Sequence, residues 1–397
     1  MEMTRALLDE PTDFSLVQGG PLFQLLLRFR LVRPSMDMLV RRIIVITVIA
    51  WVPLLVLTLL WGKPLSGATR SFLYDIGAHA RFLLCVPLLV AAEVIVHQRV
   101  RNVVSQFLDR GIVSAPERPL FSNAIDAAMR LRNSVLAEAL MLAIAIFGAF
   151  FLGRRYVNLE TTSWFATPDG VDIRLTAAGY WYIFVSLTIF RFLLLRWYFR
   201  IFVWYRFLWH VSRHIPLQLN ALHPDRAGGL AFLCTSVIAL QPVLIAHVVA
   251  LSGILGGQIL NDGATLPQFK MEIAFWLVFL ILLVLTPLLF FMGGLAAAKA
   301  TGLREYGILS SRYVADFHRK WLEGTAAEGE SLMGTADIQS LADLSNSFEV
   351  VTEMRVVPFG RATVIQLAMT TALPLVPLLL TVMPLEQLID RALRIFI

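Results

Sequence analysis

Seven long apolar stretches, joined by segments that alternate in Lys and Arg content, constrain this chain more than any other feature. They lie near Ile43–Trp61, Ala78–Val96, Ala139–Leu152, Ala177–Leu195, Leu230–Ser252, Ile273–Met292 and Ala362–Met383. A bilayer core about 30 Å thick needs roughly 20 apolar helical residues to cross it. Several of the stretches carry no Asp, Glu, Lys or Arg at all. The pattern predicts an all-α, polytopic transmembrane helical bundle of about seven spans. Charged residues make up only 16% of the chain and apolar ones 57%, against about 25% charged in a soluble domain.

Of 34 Lys and Arg, 23 fall in four segments: 1–42, 97–135, 197–229 and 299–361. The other connections hold eight. Positive residues gather on the cytoplasmic side of membrane proteins, so the N-terminus is expected inside and the C-terminus outside. The net charge of +6 follows from these short basic loops. It gives no continuous basic patch for nucleic acid, and none is expected as a partner.

The expected organisation runs in five parts. Residues 1–42 form a cytoplasmic segment. Its acidic start (Glu2, Asp9, Glu10, Asp13) does not read as a signal peptide, and Pro21–Val32 reads as an amphipathic stretch. Residues 43–298 form a six-span membrane domain whose helices continue into the cytoplasm. After the second span, Val100, Val103, Val104 and Phe107 keep helical spacing up to Gly111. Ser122 reads as the N-cap of a helix running into the third span, the fourth span continues to His214, and the sixth to about Trp321. Residues 299–361 form a cytoplasmic helical region with a Gly-rich linker at 323–334. A second helix follows from Thr335 to Met354, with an apolar stripe of Ile338, Leu341, Leu344, Phe348 and Val351 expected to pack on the extended helices. The seventh span covers 362–383, and 384–397 reads as an external amphipathic tail.

Ionisable residues inside a membrane are expensive unless paired. Glu93, Glu138, Arg191 and Arg196 lie in or at the ends of the second to fourth spans and form one expected layer. It is either an ion-pair lock or the lining of a cytoplasm-facing polar cavity. Trp197, Tyr198, Trp204, Tyr205 and Trp209 read as an interface belt. His247 reads as a core histidine with a satisfied ring. Pro53, Pro87, Pro242, Pro287, Pro374 and Pro377 kink five spans.

The sharpest polar segment is His210-Val-Ser-Arg-His214 with His223-Pro-Asp225-Arg226-Ala-Gly228-Gly229. His210 and His214 share a helix face, and with His223 and Asp225 they are the candidate ligands for a metal ion, the only cofactor the sequence suggests. The structural alternative makes His-Pro a turn and Asp225 the cap of the fifth span. Ser311-Arg312 followed by His318 matches a fragment of one lipid-phosphate phosphatase motif. Leu322 stands where that family has Asp, and its companion motifs are absent. Cys85 and Cys234 fall in spans, in opposite leaflets, which excludes a disulfide.

The segments Leu222–Leu230 (LHPDRAGGL), Gly302–Trp321 and Asp337–Phe359 resemble those of a group of uncharacterised bacterial multi-pass inner-membrane proteins. The resemblance spans the latter half of the chain and implies a bacterial inner-membrane location. It carries no activity or functional residue with it. Three function classes remain. One is a channel or transporter for an ion or small anionic solute. One is a membrane scaffold or signalling component, binding a cytoplasmic protein or a second copy of itself. The last is a membrane enzyme using the His210/His214/His223/Asp225 segment.

Overall fold

A computed structural model describes residues 14–30, 38–60, 71–156, 163–169, 172–326 and 330–382. The acidic residues before Phe14 and the expected tail at 384–397 lie outside them. Within the described residues the chain is a helical bundle with seven helices or helix pairs long and apolar enough to cross a membrane. This is an integral membrane protein.

A short helix, α1 (Pro21–Arg28), precedes the first span, α2 (Leu39–Leu60). The second span, α3, is continuous from Ile76 to Asp109. Helix α4 (Arg118–Arg132) feeds α5 (Val135–Tyr156), the third span. A two-stranded hairpin follows, β1 (Ala166–Asp169) and β2 (Asp172–Leu175), antiparallel with Ala166 opposite Leu175. Helices α6 (Ala177–His214), α7 (Ala231–Asp262) and α8 (Leu266–Trp321) are the fourth to sixth spans. Helix α9 (Ala336–Glu353) and the last span, α10 (Arg361–Leu379), complete the chain.

Two local expectations are corrected. Helix α4 starts at Arg118, not at Ser122, with Pro119 in its first turn. Proline suits that place because its fixed φ matches the helix and its missing N–H would be unpaired there anyway. The helix also does not run unbroken into the third span. It stops at Asn133, and Ser134 Oγ accepts the Ala137 N–H at 3.2 Å to start α5 afresh.

Helices α3, α6 and α8 outrun the bilayer. The α8 run covers 56 residues, about 84 Å of helix at 1.5 Å per residue, so over half lies beyond a core of about 30 Å. It is 3-10 in two places, Leu266–Phe269 at its start and Thr286–Phe291 at Pro287. The far half of α8 forms an antiparallel hairpin with α9. A methyl group on Gly302 would fall 2.6 Å from Ala221 Cβ and 3.0 Å from Val351, so only glycine allows this approach. Tyr313 Oη donates to the Asp337 carbonyl at 3.0 Å, and Trp321 Nε1 to the Asp337 carboxylate at 2.9 Å. The stripe packs as expected. Val351 is fully buried and Leu341, Leu344 and Phe348 are half-buried, although Ile338 stays exposed.

Inside the bilayer helices associate through close packing rather than water exclusion, which favours small residues at contacts. Gly253 of α7 meets Ala80 and Gly77 of α3, where an added Cβ would lie 2.6 Å from Ala80 Cβ. Ile44, Val48, Leu140, Phe147, Phe275, Val278 and Met369 are exposed and present the apolar surface a bilayer covers. Helices α3 and α6 each contain a π-helical stretch, Ala80–Cys85 and Tyr182–Ser186. The two are joined by Arg81 donating to Tyr182 Oη at 2.7 Å.

At one end of the bundle α3, α4 and α6 enclose an aromatic core. Phe107, Phe121, Trp204 and Phe207 pack there, each almost wholly buried. Aromatic side chains bury about 150–250 Å² apiece, the largest apolar contribution such a core can have. Residues 14–18 thread through it as extended chain and turn. Phe14 lies 4.9 Å from the Phe207 ring and 6.0 Å from Trp204. Ser15 Oγ meets His97 Nδ1 at 2.8 Å, and the Ser15 carbonyl accepts from Arg132. The aromatic residues expected as an interface belt thus divide. Trp197 and Trp204 are core, each 1% exposed, whereas Trp209 is 45% exposed.

Candidate functional site

Five charged residues of the spans converge on one buried cluster. Glu93 of α3 is its centre. Its carboxylate takes Arg42 of α2 at 2.9 Å and Arg200 of α6 at 2.7 Å, with Arg196 at 3.6 Å. Arg196 also reaches Glu138 of α5 at 3.5 Å. Glu138 in turn accepts the Leu22 N–H at 2.8 Å, so it sits at the positive N-terminal end of α1. None of the five is more than 8% exposed. Four spans and the leading helix are therefore tied through ionised groups.

Local structure explains the convergence. Arg196 and Arg200 are four apart and share one helix face. Trp197 fixes that face against α3 by donating to the Leu89 carbonyl at 3.0 Å, and the Arg200 guanidinium lies 4.8 Å over its ring. Arg42 extends along α3 and donates to the Val90 carbonyl at 3.3 Å, one turn before Glu93. Of the expected layer, Glu93, Glu138 and Arg196 meet directly. Arg191 lies on α6 nearer Tyr182, whose charge environment it shares. The sequence reading missed Arg42 and Arg200, which looked like flanking charges. The four-residue spacing of Arg196 and Arg200 was the available signal.

Among the described residues, three guanidinium groups of this cluster face two carboxylates, which leaves one positive charge in a buried place. Beside it lies a cavity of about 170 Å³, whose charged lining is Arg42, Glu93 and Arg196 and whose walls are otherwise apolar. The recess is therefore apolar-walled above a charged floor.

The candidate metal ligands separate into two pairs. His210 and His214 stack with ring centroids 4.4 Å apart. His223 Nδ1 lies 2.9 Å from Asp225 Oδ1. Among the described residues no group of three or more His, Cys, Asp or Glu is placed to hold a metal ion. Asp225 instead closes a loop. Oδ1 accepts the N–H groups of Ala227 at 2.8 Å and Gly229 at 3.1 Å, and Oδ2 accepts that of Ala231, the first residue of α7, at 3.0 Å. Burial works to raise its pKa, yet the amides of Ala231, Ala227 and Gly229, with His223 nearby, hold the carboxyl below the usual value. Arg226, Gly228 and Gly229 all take positive φ to wrap around it. The loop is also a junction. Arg355 donates to the Asp225 carbonyl at 2.8 Å through its side chain and to the Arg226 carbonyl at 2.7 Å through its amide. Cys234 Sγ meets the Pro358 carbonyl at 3.1 Å, and Lys299 Nζ the Met354 carbonyl at 2.7 Å.

His247 is satisfied as expected. Nδ1 lies 2.7 Å from the Val243 carbonyl one turn back, and Nε2 2.7 Å from Tyr198 Oη. No protein-family model, curated protein or solved structure matches this chain.

Proposed function

We propose that this protein is a channel or transporter for a small anionic solute in a bacterial inner membrane, with its N-terminus and the α8–α9 hairpin in the cytoplasm. One observation carries the reading. Glu93 is held by arginines from two spans, and the network extends through Arg196 to a fourth. Buried ion pairs contribute little to stability compared with apolar residues of the same volume, and ionised groups within spans mark solute pathways. The cluster works as a gate. Its surplus positive charge attracts an anion, and an anion that takes over a guanidinium from Glu93 or Glu138 loosens one span from the others. The distribution of Lys and Arg supports the orientation.

The test is flux from proteoliposomes loaded with chloride, phosphate or a small carboxylate. The wild-type protein passes at least one of them, and Glu93→Gln and Arg196→Gln change the rate. A wild-type protein that passes none of the three removes the proposal.

A second reading rests on the hairpin. Ile308, Leu309 and Val314 of α8 and Ile338 of α9 are about half exposed on its surface. Such a surface suits a scaffold that holds a cytoplasmic protein or a second copy of the chain. Cross-linking in native membranes from cysteines placed at 309 and 314 returns an adduct if this reading holds, and none if it does not.

A further inference from the structure

The cavity beside the cluster has two chemically opposed parts. Its walls are Leu22 and Leu26 of α1, Ile46 and Ile49 of α2, and Ile189 and Phe192 of α6. Its floor is the charged network. Ile49 is itself 43% exposed, so the cavity opens past it to the outer surface of α2, the surface a bilayer covers.

The floor is incompletely satisfied. Arg196 reaches its two carboxylates only at 3.6 and 3.5 Å, beyond the hydrogen-bond range of about 2.7–3.2 Å. The Nε of Arg42, a residue 2% exposed, has no hydrogen-bond partner among the described residues. Both residues line the cavity. A guanidinium carries five N–H donors, and a surplus charge buried with donors unused is strongly unfavourable.

We infer that this cavity binds a single amphiphile: a monoanionic head on the Arg42–Arg196 floor, with an alkyl chain against Ile46, Ile49 and Phe192. Each half of the site excludes a simpler occupant. A free inorganic anion would satisfy the arginines and leave the apolar walls unfilled. A zwitterionic or neutral lipid would fill the walls and leave the charge uncompensated. One negative charge matches the single surplus guanidinium. A fatty acid carboxylate and an anionic phospholipid phosphodiester share this chemistry. The assignment rests on the cavity alone; a bound head would compete with a passing anion for the same surplus charge, and binding and flux are measured separately.

Native mass spectrometry of the full-length protein tests it, with oleate, phosphatidylglycerol, phosphatidylcholine and inorganic phosphate added separately. Oleate or phosphatidylglycerol should bind one per protein, at least about tenfold more tightly than phosphatidylcholine, a factor worth roughly 1.4 kcal/mol. Which of the two binds identifies the source of the head. Ile49→Trp, which fills the mouth and leaves every charge in place, should abolish that selective adduct, and Ile189→Trp should do so from the opposite wall. Equal retention of phosphatidylcholine overturns the proposal without reference to any variant. So does a selective adduct that persists in a folded Ile49→Trp or Ile189→Trp protein, or binding of phosphate as tight as that of either amphiphile.

Discussion

A carboxylate with three guanidinium neighbours behaves differently from one on a surface, and the two can be compared within this chain. Glu93 is 4% exposed and central. Removing its charge leaves Arg42 and Arg200 without a counter-ion, and breaking a buried pair from one side costs about 3–5 kcal/mol. Glu93→Ala should therefore unfold at markedly lower denaturant concentration, and a loss under about 1 kcal/mol would contradict the central place given to it. The Arg226–Glu353 pair is as short, at 2.7 Å, but its side chains are 54% and 42% exposed. Glu353→Ala should cost less than about 1 kcal/mol. Three of the five cluster residues, Glu93, Glu138 and Arg196, were legible in the sequence, because a charge inside a span demands a partner. Arg42 was not, since nothing local distinguishes an arginine that flanks a span from one that turns back along its neighbour.

At the level of elements, Asp225 and Gly302 govern how the basic loops are joined to the bundle. Asp225 titrates below the ordinary carboxylate value in the folded protein, so its contribution is fully present above the ordinary value. It is lost as pH falls through the lower, folded value. Asp225→Ala should lose about 0.5–2 kcal/mol, the usual contribution of a helix cap. Its stability should also fall less steeply in acid than that of the wild type. An unchanged acid profile would mean that the carboxylate does not hold the loop. Gly302→Val should force α9 off α8, at a cost of about 1–3 kcal/mol for overpacking, and proteolysis within 322–335 should report it as faster cleavage. The helices themselves were readable from periodicity, since α8 ends three residues before Gly324 and α9 ends at Glu353, one residue before the Met354 where the apolar spacing was read to stop. The start of α4 was misread because Ser122 has the chemistry of a cap, whereas Pro119 has the geometry of a first turn. The 166–175 hairpin gave no signal, its strands being only four residues each.

Across the whole molecule, the alternation of charge makes one prediction about placement. A cysteine introduced at Ser331, between α8 and α9, should react with a membrane-impermeant maleimide only after the membrane is opened. One introduced at Asn261, at the far end of α7, should react in intact cells. Cys85 is buried and Cys234 half-buried, which keeps the native thiols from obscuring the result. The reverse pattern would invert the proposed orientation. The membrane class was legible because a bilayer imposes one length and one polarity on every span. The recess beside Glu93 was not, because it arises from four helices, with α6 nearly a hundred residues beyond Glu93.

The threading of residues 14–18 bears on how the bundle is built. These residues are synthesised before every helix that holds them. Their slot lacks a wall until Trp204 and Phe207 have been made and α6 has been inserted. Phe14, Leu16 and Val17, each no more than 2% exposed in the finished bundle, can dock only once α6 is in place. The segment is a clasp on the first half of the bundle, free to close before α7, α8 and α10 have been made.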